Sequence, residues 1–177
     1  MDEARQRIEI AIKNNVTTLD LSYSGLTSLP PELFLLSNLQ ALILYGNQLT
    51  SLPSEVSNWT ALQRLYLGNN RLTSLPPAIQ NWTALQRLSL NNNQLTSLPP
   101  TVQNWTALRI IYIDSSIRLP IEVVYWRSIV YIIEWNQETN EWIDHINVCD
   151  IGRFLRSRVF SCRFPQYYEK LRDYWTK

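Results

Sequence analysis

Glycine is scarce in this chain, with four among 177 residues, and cysteine, histidine and methionine number only two, one and one. Each shortage closes a class of chemistry. Gly25, Gly46, Gly68 and Gly152 belong to no phosphate-cradling loop ending in Gly-Lys-Ser/Thr, which sets nucleotide hydrolysis aside. His145, Cys149 and Cys162 cannot complete a tetrahedral zinc site, and no cofactor is expected. Two cysteines are too few for a disulfide framework and point to reduced thiols in a cytosol. Nowhere do about 18 apolar residues run together, and no long apolar run follows the opening Met-Asp-Glu-Ala-Arg-Gln-Arg. The expectation is a soluble, cytoplasmic protein with no transmembrane segment and no cleaved signal. Formal net charge is only +1, and the residues up to Trp135 carry nine basic and nine acidic side chains. No broad field would draw in nucleic acid, which is not an expected partner.

What the chain has is repetition. The phrase Leu-x-x-Leu-x-Leu-x-x-Asn-x-Leu-x-x-Leu-Pro opens at Leu39, Leu62 and Leu85, and a partial copy opens at Val16. Each copy supplies one short strand whose apolar side chains cannot be buried within that copy, so neighbours must stack into a continuous core. The fold class expected is an α/β repeat solenoid, a short arc with a parallel concave sheet, an N-terminal capping helix and a C-terminal cap. Residues 1–15 are assigned to the capping helix, with Ile8 and Ile12 on its apolar face; 16–135 to the repeats; and 136–177 to the C-terminal cap. Rungs begin at Val16, Leu39, Leu62, Leu85 and Leu108, and a sixth strand is expected near 129–135. The fifth copy is two residues short, and its Asp114-Ser-Ser-Ile-Arg118 lacks the Asn and Leu pattern, which predicts an irregular turn.

The recurrent polar and aromatic residues read as scaffold. Asn47, Asn70 and Asn93 are positioned to satisfy backbone groups of the turns. Leu33, Val56, Ile79, Val102 and Val123 form one inward column, and Leu36, Trp59, Trp82, Trp105 and Trp126 a second, in which each indole N–H should meet a carbonyl or water. Asn-x-Thr sequons at Asn58, Asn81 and Asn104 recur at the repeat period, and repetition accounts for them.

Alternation along a strand sends the intervening residues outward onto the concave face. Three columns result: Thr18, Ala41, Arg64, Arg87, Ile110; Asp20, Ile43, Tyr66, Ser89, Tyr112; and Ser22, Tyr45, Gly68, Asn91, Asp114. Tyr and Arg dominate interaction hot spots because they join large area to directional polar groups. The candidate partner-binding set is therefore Asp20, Ile43, Tyr45, Arg64, Tyr66, Arg87, Ser89, Asn91, Ile110, Tyr112 and Asp114, facing a protein, with the chain itself a monomer. The competing reading is that Tyr and Ile merely suit strands.

After Trp135 the grammar changes. Tyr131-Ile-Ile-Glu-Trp135 and Trp142-Ile-Asp-His-Ile146 flank a polar connection and predict a hairpin, with helix as the rival. Two short amphipathic helices are read after Asp150, where seven basic and three acidic residues interleave with aromatics. Capping, partner docking, and contact with phosphate or a membrane surface are the three readings of this tail. His145, Cys149 and Asp150 hold the residue types of a nucleophilic site, but nothing independent supplies an oxyanion site, and they are read as cap residues.

The run from Leu62 to Pro76, Leu-Gln-Arg-Leu-Tyr-Leu-Gly-Asn-Asn-Arg-Leu-Thr-Ser-Leu-Pro, resembles the intracellular Leu-Pro class of leucine-rich repeats. That class includes Ras-binding scaffolds, plant Ras-group-related proteins and Roco repeat domains. The resemblance covers about residues 5–130 and implies protein recognition but no particular partner; a small GTPase or another signalling protein is the partner class expected. Bacterial effector ubiquitin ligases also carry Leu-Pro repeats, with a catalytic Cys-x-Asp; here Cys149 and Asp150 are adjacent and too little chain follows, so no enzyme is expected. The alternative is an effector or modifier whose basic tail docks a partner or carries a small activity.

Overall fold

Asparagine at position 15 ends the first element. In the computed structural model, which describes residues 2–120, 131–136 and 141–145 (the last two segments as backbone), helix α1 spans Asp2–Lys13. Asn15 takes a left-handed φ of 48° while its N–H donates to the Ile12 carbonyl and that of Val16 to Ala11. This is a Schellman closure, and asparagine tolerates the left-handed turn better than most residues. Ala4, Ile8 and Ala11 form the buried stripe of α1, with Ile12 half-buried and Ile10 exposed. The helix covers the open end of the first rung, as a terminal cap must.

Among the described residues seven strands follow in sequence order: β1 Thr18–Asp20, β2 Ala41–Ile43, β3 Arg64–Tyr66, β4 Arg87–Ser89, β5 Ile110–Asp114, β6 Tyr131–Asn136 and β7 Glu141–His145. The pairings from β1 to β6 are parallel, and β6 pairs antiparallel with β7. The sixth strand and the hairpin thus stand where the apolar runs predict them, and the strand alternative holds for 141–145. The amphipathic segments after Asp150 and the Val123 and Trp126 positions lie outside the described residues.

Each of the first four rungs then turns at its Leu-Pro step. Pro30, Pro53, Pro76 and Pro99 are extended, and their carbonyls accept the N–H of Leu33, Val56, Ile79 and Val102 at 3.1–3.3 Å. One 3-10 turn results per rung: Pro31–Leu35, Ser54–Asn58, Pro77–Asn81 and Pro100–Asn104. Proline is tolerated at the start of three of these because a first-turn N–H would have no partner in the helix.

The core is one cluster running from Ala4 to Leu119. Leu33, Val56, Ile79 and Val102 form one fully buried column, and Trp59, Trp82 and Trp105 stand in the other beside Leu36. Trp82 stacks on Trp105 at 6.1 Å, while Phe34 stacks on Trp59 at 5.4 Å and begins the aromatic pile where the first rung has no tryptophan. The indole N–H of Trp82 donates to the Val56 carbonyl and that of Trp105 to Ile79, both at 2.9 Å. Trp59 departs from expectation, because among the described residues its buried N–H meets no acceptor.

Candidate interaction surface

The strand register creates the surface. Thr18, Ala41, Arg64, Arg87 and Ile110 lie directly across from one another on successive strands, as do Asp20, Ile43, Tyr66, Ser89 and Tyr112. Between them Leu19, Leu42, Leu65, Leu88 and Ile111 turn into the core. Neighbouring strands lie about 4.8 Å apart, so each column is a contiguous row.

The rows are not uniformly available. Arg64, Arg87 and Asp20 are exposed, and Ile43, Tyr45, Tyr66, Ile110 and Tyr112 are half-buried. Ser89, Asn91 and Asp114, three members of the expected binding set, are buried. The Ser89 hydroxyl donates to Asn91 Oδ1 at 2.7 Å, and both pack over Gly68, where an added Cβ would stand 2.9 Å from each of these side-chain oxygens. Asp114 accepts from the Asn92 and Asn93 amides at 2.9 and 3.3 Å. In the earlier rungs the equivalent amides of Tyr23, Gly46 and Asn69 donate to backbone carbonyls of Tyr45, Gly68 and Asn91. At the shortened fifth rung a carboxylate therefore stands where a carbonyl would be. These three side chains bond within the fold and offer little contact area.

Tyr45 is the better placed anchor. Asn69 Nδ2 donates to its hydroxyl at 2.6 Å, and Tyr23 meets its ring edge-on at a centroid distance of 5.6 Å. Burial, with the neighbouring Tyr23 phenol adding, pushes the Tyr45 hydroxyl pKa up, which keeps it neutral. Tyr23 itself escaped the expected set, although it is 73% exposed. It belongs to a column, Tyr23, Gly46, Asn69 and Asn92, in which every residue has a left-handed φ between 51° and 69°. Glycine and asparagine accept that backbone readily and tyrosine does not. A tyrosine aligned with Gly, Asn and Asn was the available sequence signal.

On β1 the Asp20 carboxylate accepts from the Ser22 hydroxyl at 2.6 Å and the Ser22 amide at 2.8 Å. Those two bonds, with Arg7 adding attraction, hold its pKa below the ordinary value against a small opposing effect of burial. Asp20 is ionised at neutral pH and already bonded on one oxygen. Among the described residues no three His, Cys, Asp or Glu side chains cluster as a metal site, and no helix is long and apolar enough to cross a membrane. The arrangement places Tyr and Arg side chains together on one face of the sheet.

Comparison with known proteins agrees with this architecture. The leucine-rich repeat family model matches residues 14–72 and 60–116, together more than half of the chain. A Shigella effector leucine-rich repeat domain superposes with a TM-score of 0.56 at 27% identity, covering 76% of this chain and 56% of that one. A Leptospira interrogans leucine-rich repeat protein gives 0.53 at 31% identity, covering 70% of this chain and 38% of the other. The chain thus spans less than two thirds of either structure's length. No curated protein sequence matches it significantly.

Proposed function

The chain belongs to the leucine-rich repeat family, whose domains are generally protein-interaction modules, and from that premise we propose that it recognises a protein partner through its concave sheet. The observation that carries this reading is the set of exposed and half-exposed side chains Arg64, Tyr66, Arg87 and Tyr112 on strands fixed by a continuous core, with Tyr45 just past β2. Side chains already ordered by the fold cost little further entropy when they dock. Ile43 and Ile110 add apolar area at half-burial, and Asp20 lies at the first strand. The small GTPase or signalling partner suggested by the Leu-Pro repeat type, a cytoplasmic setting and a monomeric state are parts of the same proposal.

The test compares affinity capture by the wild type, the Tyr66→Ala/Arg87→Ala double variant, and a Gln80→Ala/Gln103→Ala variant on the exposed 3-10 turns. Removing a central anchor typically costs on the order of 2 kcal/mol. The expected result is a protein retained by the wild type and the turn variant but lost by the concave variant. Equal retention by all three would move the binding site off the concave face. A second reading, an effector whose tail docks a partner or carries a small activity, draws support from the likeness to the Shigella effector domain. It predicts that the captured protein depends on residues 146–177 rather than on Tyr66 and Arg87.

A further inference from the structure

Arg64 and Arg87 stand directly opposite each other on β3 and β4, both exposed. Like charges facing across adjacent strands destabilise a sheet. Nothing described in the fold compensates them: among the described residues the ion pair present is Arg7 with Glu3, on the capping helix. The two acids on strands β1 to β5 are committed elsewhere, Asp20 to Ser22 and the buried Asp114 to the Asn92 and Asn93 amides. The neighbours of the pair along the row are apolar. Ala41, beside Arg64 in the row, is buried, Ile110, beside Arg87, is half-buried, and Tyr66 follows Arg64 on the same face.

Two guanidinium groups on such a floor are poor company for each other and good hosts for carboxylates. Each can hold a carboxylate through two parallel N–H···O bonds, and charge-assisted bonds strengthen where apolar neighbours exclude water. We propose that the partner presents a segment carrying at least two acidic side chains, which dock on the Arg64–Arg87 pair at the centre of the concave face. This deepens the proposed function and rests on it. The partner's carboxylates supply the counter-charge that β2 to β4 lack, and the flanking Tyr66 and Ile110 contact the apolar portion of the same segment. Recognition then depends on charge sign as well as on shape, so encounter is steered and basic segments are rejected.

The experiment pans a random peptide library displayed on phage against three forms of the full chain: wild type, Arg64→Glu/Arg87→Glu and Tyr66→Ala. Circular dichroism confirms that each is folded, and Arg64→Gln/Arg87→Gln serves if the reversed pair is not. The wild type should enrich Asp and Glu, and the recovered peptides should lose about tenfold or more in affinity on charge reversal. The reversed form should instead select Lys and Arg. Acidic enrichment that survives charge reversal would place the anion site elsewhere and overturn the proposal. Peptides that need Tyr66 but show no acidic bias would also overturn it while leaving concave recognition intact. Recovery of no peptide, or displacement of the acidic peptides by inorganic phosphate alone at equal concentration, would overturn it as well.

Discussion

Asn47, Asn70 and Asn93 do the same work three times. Each Nδ2 donates to carbonyls of its own rung and the preceding one, as Asn70 does to Leu67 at 3.0 Å and Leu44 at 2.9 Å, while each Oδ1 accepts an amide, here Leu49 at 3.0 Å. The bonds run to backbone rather than from one asparagine to the next, so each residue fastens two rungs. Asn70→Ala should therefore cost about 3 kcal/mol in urea unfolding, since buried donors and acceptors left without partners cost roughly 1–3 kcal/mol each. Tryptophan gives a subtler contrast. Trp82→Phe forfeits the bond to Val56, whereas Trp59→Phe removes an N–H that has no described acceptor. The second variant should lose less stability than the first by about 1 kcal/mol or more in the same assay. The Asn and Trp columns were legible because they repeat at the rung spacing. The missing acceptor at Trp59 was not, because it arises where the repeat gives way to Phe34 and Leu36.

At the level of elements, the left-handed residue after each strand is where local chemistry and packing conflict. Gly46 adopts φ 69°, and a Cβ placed there would enter the space of the Tyr23 ring. Gly46→Ala thus meets two penalties, backbone strain and displacement of Tyr23 from its contact with Tyr45. A loss of about 1–2 kcal/mol is expected by thermal or urea unfolding. In a Tyr23→Ala background the packing part disappears, so the same substitution should cost less, and an unchanged cost would mean strain alone is at work. The strands themselves were readable from alternation, since Leu positions had to face inward. The sequence also flagged the fifth rung as irregular, but not how it is rescued. Ile117 is buried in place of the absent leucine, and Arg118 exchanges backbone bonds with the Ser97 region, its N–H on the Thr96 carbonyl and its carbonyl on the Leu98 amide. Ser89, Asn91 and Asp114 were assigned to the partner for the same reason. Alternation tells which side a residue faces, but only the folded neighbours reveal that Asp114 replaces a carbonyl.

For the whole molecule, a parallel stack must stop somewhere, and its last strand leaves unpaired backbone groups that invite another chain. The N-terminal end is closed by α1 through Ala4, Ile8 and Ala11. At the other end β7 returns antiparallel along β6, pairing Ile132 with His145 through to Asn136 with Glu141. We propose that residues 136–177 act as the C-terminal cap, and within them β7 is the part whose pairing can be isolated. Two truncations do so: one ending at His145 keeps the hairpin, and one ending at Asn136 leaves β6 as a bare parallel edge. The shorter form should melt at lower temperature and associate through that edge, seen as a larger particle in sedimentation, while the longer form stays closer to a single copy. The comparison matters more than either protein alone, because both lack the basic tail and only the covering strand differs. Identical melting and sedimentation of the two would mean that β7 contributes nothing as a cap. Closure would then have to come from residues beyond His145, and the full chain should melt at a higher temperature than both truncations.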